Sequence, residues 1–175
     1  AMAIGLERVR LRSGSIVHNV SAVLLTVSAG LAVLFGLFFL VNPMIWRMDV
    51  GGSVINLLLL GYAVPAVLAW LLSYIIAGHR RAGYSNTIAA GALMLALAYI
   101  SLEIRRLYHG PILIHGETTD AEQYTYSIAW LLLGVALLGI GVLVNSQRAR
   151  LASAVVIALT IVKAFVIDMS TLTGI

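Results

Sequence analysis

Glu103, Arg105, Arg106 and His109 cluster in the stretch "LEIRRLYHG", and Lys163 and Asp168 lie in the last apolar run of the chain. Three kinds of chemistry suit these residue types. The first is an ion-pair clamp. Glu103 and Arg106 are three residues apart and share a helix face, Arg105 points elsewhere, and Lys163 sits about one and a half turns inside a membrane boundary. A charge at that depth costs about 2.5–3.5 kcal/mol and faces protein, a partner charge or water. The simplest neutralisation pairs Lys163 with Glu103 and Arg106 with Asp168. The second is anion binding, with Arg105 and Arg106 recognising a headgroup phosphate or a glycan-lipid carboxylate in forked geometry. The third is catalysis, with Glu103 or Asp168 as general base and His109 as proton shuttle. The spacing does not require catalysis, and the reading leans away from an enzyme.

His109 and His115 flank a Gly-Pro break near Glu117 and Asp120. As a metal set this spacing is weak; solvated loop histidines are the default, and no metal site is expected. His18 and His79 lie at helix ends. No histidine is at mid-membrane to serve as an axial haem ligand, and no cofactor is predicted. The chain has no cysteine, which excludes disulfides and thiolate chemistry.

The elements that carry these residues are set by composition. Of 175 residues, 61% are hydrophobic and 10% charged, and the mean hydropathy is +1.02. A soluble domain is about one-quarter charged. Apolar runs at about 16–41, 54–77, 85–104, 124–145 and 151–169 have the roughly 20-residue length that crosses a bilayer core as a helix. They lack the alternation of barrel strands. The fold class is therefore all-α: a polytopic helical membrane protein with about five transmembrane helices in an antiparallel bundle, forming a single domain over 1–175. The first run is too long, and "VNPMIWR" too bulky, for a cleaved signal. The pI near 9.8 reports orientation and not nucleic-acid binding.

Basic residues sort by side. Arg8, Arg10, Arg12, Arg80, Arg81, Arg148 and Arg150 lie on one face, whereas Arg47, Arg105 and Arg106 lie on the other beside Asp49, Glu117, Asp120 and Glu122. The positive-inside rule then puts the N-terminus in the cytoplasm and the C-terminus in the periplasm. Aromatics agree: Trp46, Tyr99, Tyr108, Tyr124, Tyr126 and Trp130 mark the outer interface, and Trp70, Tyr74 and Tyr84 the inner one. Pro65 should kink or loosen the second helix. Small-residue stripes at Ser28–Ala32–Gly36, Ala92–Ala96, Gly134–Gly141 and Ala154–Ala158 mark packing faces, for the bundle itself or for other subunits.

"LEIRRLYHG", "EQYTYSIAWLLLGVALLGIG" and "LTIVKAFVIDMSTLTGI", in that order, resemble the C-terminal part of a large bacterial family of predicted multi-pass inner-membrane proteins, DUF2339. The resemblance covers about residues 85–175; the first 84 match only as generic hydrophobic helices. Its polar and aromatic signature includes Glu103, Arg105, Arg106, His109, Gly110, Tyr126, Ser127, Trp130, Lys163, Asp168, Ser170, Leu172 and Gly174. That set implies one site and no particular chemistry. The resemblance also implies longer chains with further membrane helices, so the sequence reads as a fragment, a partly observed chain or a divergent short member.

The expected function is that of a non-catalytic structural or accessory inner-membrane component, with Glu103, Arg105, Arg106, Lys163 and Asp168 as an outward-facing ion-pair or ligand-binding cluster. The alternatives are a cell-envelope enzyme or transporter for a lipid-linked or glycan anion, and an accessory subunit of an energy-transducing complex. Expected partners are the lipid bilayer, other membrane helices or subunits and an anionic headgroup or glycan, with no nucleic acid.

Overall fold

The structure, a computed structural model, describes residues 1–52 and 55–169. Among the described residues it is all-helical: α1 (Met2–Ser13), α2 (Ile16–Phe35), α3 (Val64–Ile76), α4 (Ala82–His109), α5 (Asp120–Leu143) and α6 (Gln147–Lys163). Five spans are long and apolar enough to cross a membrane, at Ile16–Leu40, Leu59–Ile76, Ala82–His109, Asp120–Leu143 and Gln147–Asp168. Most of their apolar side chains point outward; Leu24 and Leu132 are 65% and 64% exposed. In a bilayer this needs no remedy, because lipid is as apolar as leucine and only backbone groups must pair internally.

Helix α1 was not expected, and several span boundaries moved, the second span starting at 59 and the third ending at 109. The third and fourth spans start at 82 and 120, earlier than the apolar runs suggest, because polar first turns are helical too. Thr119 explains the start at 120. It is the N-cap of α5, its hydroxyl accepts from the Glu122 amide, and "TDAE" has the spacing of a capping box.

Three helices contain one turn of i→i+5 hydrogen bonding: Gly36–Leu40 after α2, Leu59–Ala63 before α3 and Ala164–Asp168 after α6. The second meets the Pro65 expectation directly. Proline has no N–H to donate and cannot complete an ordinary turn; here it falls at the start of α3, with the wide turn immediately before it.

The chain divides into two compact units, Ala1–Tyr99 and Ile100–Ile175. In the first, α1 packs on α2 and α3. Buried Ser73 and Ser85 tie α3 to α4 reciprocally, each hydroxyl donating to the other's carbonyl at 3.0 and 2.9 Å. In the second, α5 and α6 form a hairpin over a short turn at Asn145, which has φ 49°. Gly134 and Gly141 lie on its contact face as the stripe predicts: a Cβ at Gly134 would meet Ile157 Cγ1 at 2.7 Å, and one at Gly141 the Arg150 backbone nitrogen at 2.8 Å. The facing side of α6 is Ser153, Val156 and Thr160, all buried, and not the Ala154–Ala158 stripe, whose residues are exposed.

Candidate functional site

The polar residues of the second unit form three groups, paired differently from the sequence expectation. At the C-terminal end of α4, Arg105 is the buried arginine, with its side chain 6% exposed, and Glu122 of α5 is wholly buried. Arg105 Nη1 donates to both Glu122 carboxylate oxygens, at 3.1 and 3.3 Å, and to Thr118 Oγ1 at 3.0 Å. Its Nε donates to the Leu113 carbonyl at 3.2 Å, and Nη2 to the carbonyls of His115 at 3.4 Å and Gly116 at 2.8 Å. The α4–α5 loop thus wraps a guanidinium whose three nitrogens all have acceptors.

Glu122 is equally well supplied. Tyr126 OH donates to its Oε1 at 2.5 Å, and His109 Nε2 lies 2.7 Å from its Oε2. A carboxylate only accepts, so that contact places the proton on Nε2. Arg105 Nη1 lies 2.9 Å from the same nitrogen and, as a donor facing a donor, makes no hydrogen bond with it in that tautomer. Gly116 closes over the ring: with φ +86°, a Cβ there would lie 2.4 Å from His109 Nδ1. His109 is therefore an internal donor to Glu122, and it does not join His115, Glu117 and Asp120. Among the described residues no three His, Cys, Asp or Glu side chains gather as a metal set.

The second group joins α5 to the end of α6. Lys163 Nζ donates to Asp168 Oδ1 at 2.7 Å, Ser127 Oγ at 2.9 Å and the Gln123 carbonyl at 3.1 Å, using its three protons. Ser127 Oγ in turn donates to Asp168 Oδ2 at 2.5 Å. Lys163 and Asp168 can pair because the last turn is wide. Residues five apart diverge on an ordinary helix, but an i→i+5 turn, closed by Met169 N to Ala164 O at 3.0 Å, stacks them. Lys163 Nζ also lies 6.0 Å from the centroid of the Tyr126 ring, so Tyr126 touches both groups.

The third group is Glu103 with Arg106, an i,i+3 pair on α4 whose Nε–Oε1 distance is 3.0 Å. The expected pairs Lys163–Glu103 and Arg106–Asp168 are thus replaced by Lys163–Asp168 and Arg106–Glu103, because each partner has a nearer one on its own helix. Tyr108 OH with Thr125 Oγ1 at 2.8 Å and Trp130 Nε1 donating to Ser101 Oγ at 3.0 Å complete the α4–α5 junction. Of the sequence signature, Ser170, Leu172 and Gly174 lie outside the described residues.

Two wholly buried carboxylates were missed, Glu122 and Glu7. The apolar run that starts at about 124 leaves Glu122 outside the helix, although its place three residues after Thr119 and four before Tyr126 marks a first helical turn. Glu7 lies in α1 and accepts from Arg10 Nε and Arg80 Nε, each at 2.6 Å.

No functionally curated protein and no solved structure matches the chain. Of the residues that the structure gathers between α4, α5 and α6, Arg105, His109, Tyr126, Ser127, Trp130, Lys163 and Asp168 belong to the signature on which the resemblance rested, and Glu122 is added to it. The family model described as "Predicted membrane protein (DUF2339)" matches residues 1–175, all of the chain and not only the part after residue 85, and the chain belongs to that family.

Proposed function

We propose that the chain is a non-catalytic, structural or accessory component of a bacterial inner membrane, with a cytoplasmic N-terminus and a periplasmic C-terminus. In this reading the Arg105–Glu122 group is a tie that fixes the α4–α5 loop and not a clamp for an anion. One observation carries it: every nitrogen of the Arg105 guanidinium already has protein acceptors. A headgroup would have to displace a buried carboxylate and three backbone carbonyls to bind there.

The test is Arg105→Gln in lipid nanodiscs. A tie predicts a marked loss of thermal stability with the co-purifying lipid and glycan unchanged. Loss of a bound glycan or lipid at unchanged stability would replace the tie with the binding reading. Orientation is tested separately with Glu117→Cys, since the chain has no cysteine of its own. Labelling only from the cytoplasmic side overturns the proposed topology.

The accessory part of the proposal is favoured by the Ser28–Ala32–Gly36 stripe of α2. Ser28 and Ala32 are exposed, whereas Gly134 of α5 is closed by Ile157. A stripe left open by its own chain suits the close approach of another helix.

A further inference from the structure

The first unit holds a basic cavity of about 410 Å³ lined by Arg10, Asn19, His79, Arg80, Arg81 and Tyr84. It lies at one end of the spans, where α1 finishes, α2 begins, α3 finishes and α4 begins. Glu7 forms its anchor. The carboxylate is wholly buried and holds Arg10 through Oε2 and Arg80 through Oε1. Arg80 is fixed further by the Asn19 carbonyl at 3.4 Å and by stacking 5.2 Å over the Tyr84 ring. One carboxylate therefore positions two of the three guanidinium groups around the cavity and leaves positive charge in excess.

Two polar atoms decide what the cavity is for. Among the described residues, Arg10 Nη2 and Tyr84 OH are the buried side-chain polar atoms with no hydrogen-bond partner, and both residues line this cavity. Native proteins rarely leave buried donors unpaired, and each such group calls for a bound water or ion. A cationic donor and a hydroxyl donor beside further arginines call for an anion with oxygens on several sides.

We propose that this cavity binds a phosphate group, with Arg10 and Tyr84 turning their unpartnered Nη2 and OH from the cavity wall to its oxygens and Arg81 supplying further charge. A phosphate accepts from several directions and pairs with guanidinium in forked geometry. The position, at the common end of three spanning helices, is the depth of lipid phosphodiesters, and basic pockets between membrane helices suit such headgroups. A free phosphate would satisfy the same donors.

The test uses the whole chain and two variants. Thermal unfolding is followed in dodecyl maltoside, a detergent without phosphate, against inorganic phosphate and against added phosphatidylglycerol. The wild type should be stabilised by phosphate, by phosphatidylglycerol or by both; the first alone assigns a soluble ligand and the second alone a headgroup. Tyr84→Phe keeps the ring under Arg80 and removes only the hydroxyl. Without the anion it should be as stable as the wild type or more so, because an unpaired buried hydroxyl is lost. With the anion it should need about tenfold more for the same stabilisation, as one hydrogen bond to a charged group predicts. Arg10→Lys retains the charge, removes the free fork and should weaken binding similarly. Indifference of the wild type to both probes overturns the proposal, as does an anion response that both variants leave unchanged.

Discussion

Glu122 and Glu7 are both wholly buried carboxylates held by two basic side chains, yet their surroundings are finished to different degrees. Around Glu122 the arginine nitrogens, the imidazole Nε2 and the tyrosine hydroxyl all meet protein acceptors. Around Glu7 an arginine nitrogen and a tyrosine hydroxyl are left over beside a cavity. A buried charge pair costs desolvation that only complete hydrogen bonding offsets. The complete network therefore reads as structure and the incomplete one as a place for something else. Arginine count alone does not separate them: the adjacent arginines of "IRRL" drew the anion-binding expectation, while the donors without partners lie elsewhere.

The comparison is broken most directly at the two carboxylates. Glu122→Gln leaves Arg105 buried without its charge partner and should cost about 3–5 kcal/mol, read as unfolding in nanodiscs. Glu7→Gln should cost less, about 1–3 kcal/mol, because the Arg10 and Arg80 side chains are 17% and 12% exposed and reach solvent. It should also steepen the stabilisation by phosphate, since the cavity loses its one negative charge. Equal losses with no change in anion response would remove the distinction.

Next in size is the loop that encloses Arg105. Gly116→Ala should cost about 3 kcal/mol, combining a left-handed backbone with a Cβ 2.4 Å from the His109 ring. Gly110→Ala is the control. It shares the positive φ, at +78°, but meets nothing within 4 Å, so it should cost only the backbone term of about 1–2 kcal/mol. A similar loss at both positions would mean that the ring is not tightly enclosed. Asp168→Asn follows, at about 2 kcal/mol. Lys163 then keeps Ser127 and the Gln123 carbonyl but loses its counter-charge, so this group should prove intermediate.

The class of the molecule and its five spans were readable from apolar run length, and Pro65 announced the loosened start of α3. Gly134 and Gly141 were readable too, because close helix approach selects small residues at regular spacing. What escaped has specific causes. Glu122 fell outside its helix because apolar length does not register a polar, capped first turn, and Glu7 lay in a short basic helix with no apolar run to mark it. The Lys163–Asp168 pair violates the three- and four-residue spacing rule, since one wide turn shifts the helical phase. No run of residues in sequence signals that turn; it is seen only in the backbone bonds.

The smallest effect sharpens the comparison by setting its floor. Glu103→Gln should change stability by less than about 0.5 kcal/mol, the scale of an i,i+3 ion pair on a helix surface. Glu103 and Arg106 are 22% and 11% exposed, so both reach solvent and the pair is not sealed as the Arg105–Glu122 pair is. Its neighbour Arg105, one residue from Arg106, differs in facing inward, where water cannot replace a lost acceptor. The two substitutions Glu103→Gln and Glu122→Gln thus remove the same charge from adjacent arginines and differ in burial and in the further donors, His109 and Tyr126, that Glu122 alone serves. If they cost the same, the Arg105 group is no more a structural tie than a surface pair; a gap of several kcal/mol places the weight of the α4–α5 junction on the inward-facing arginine.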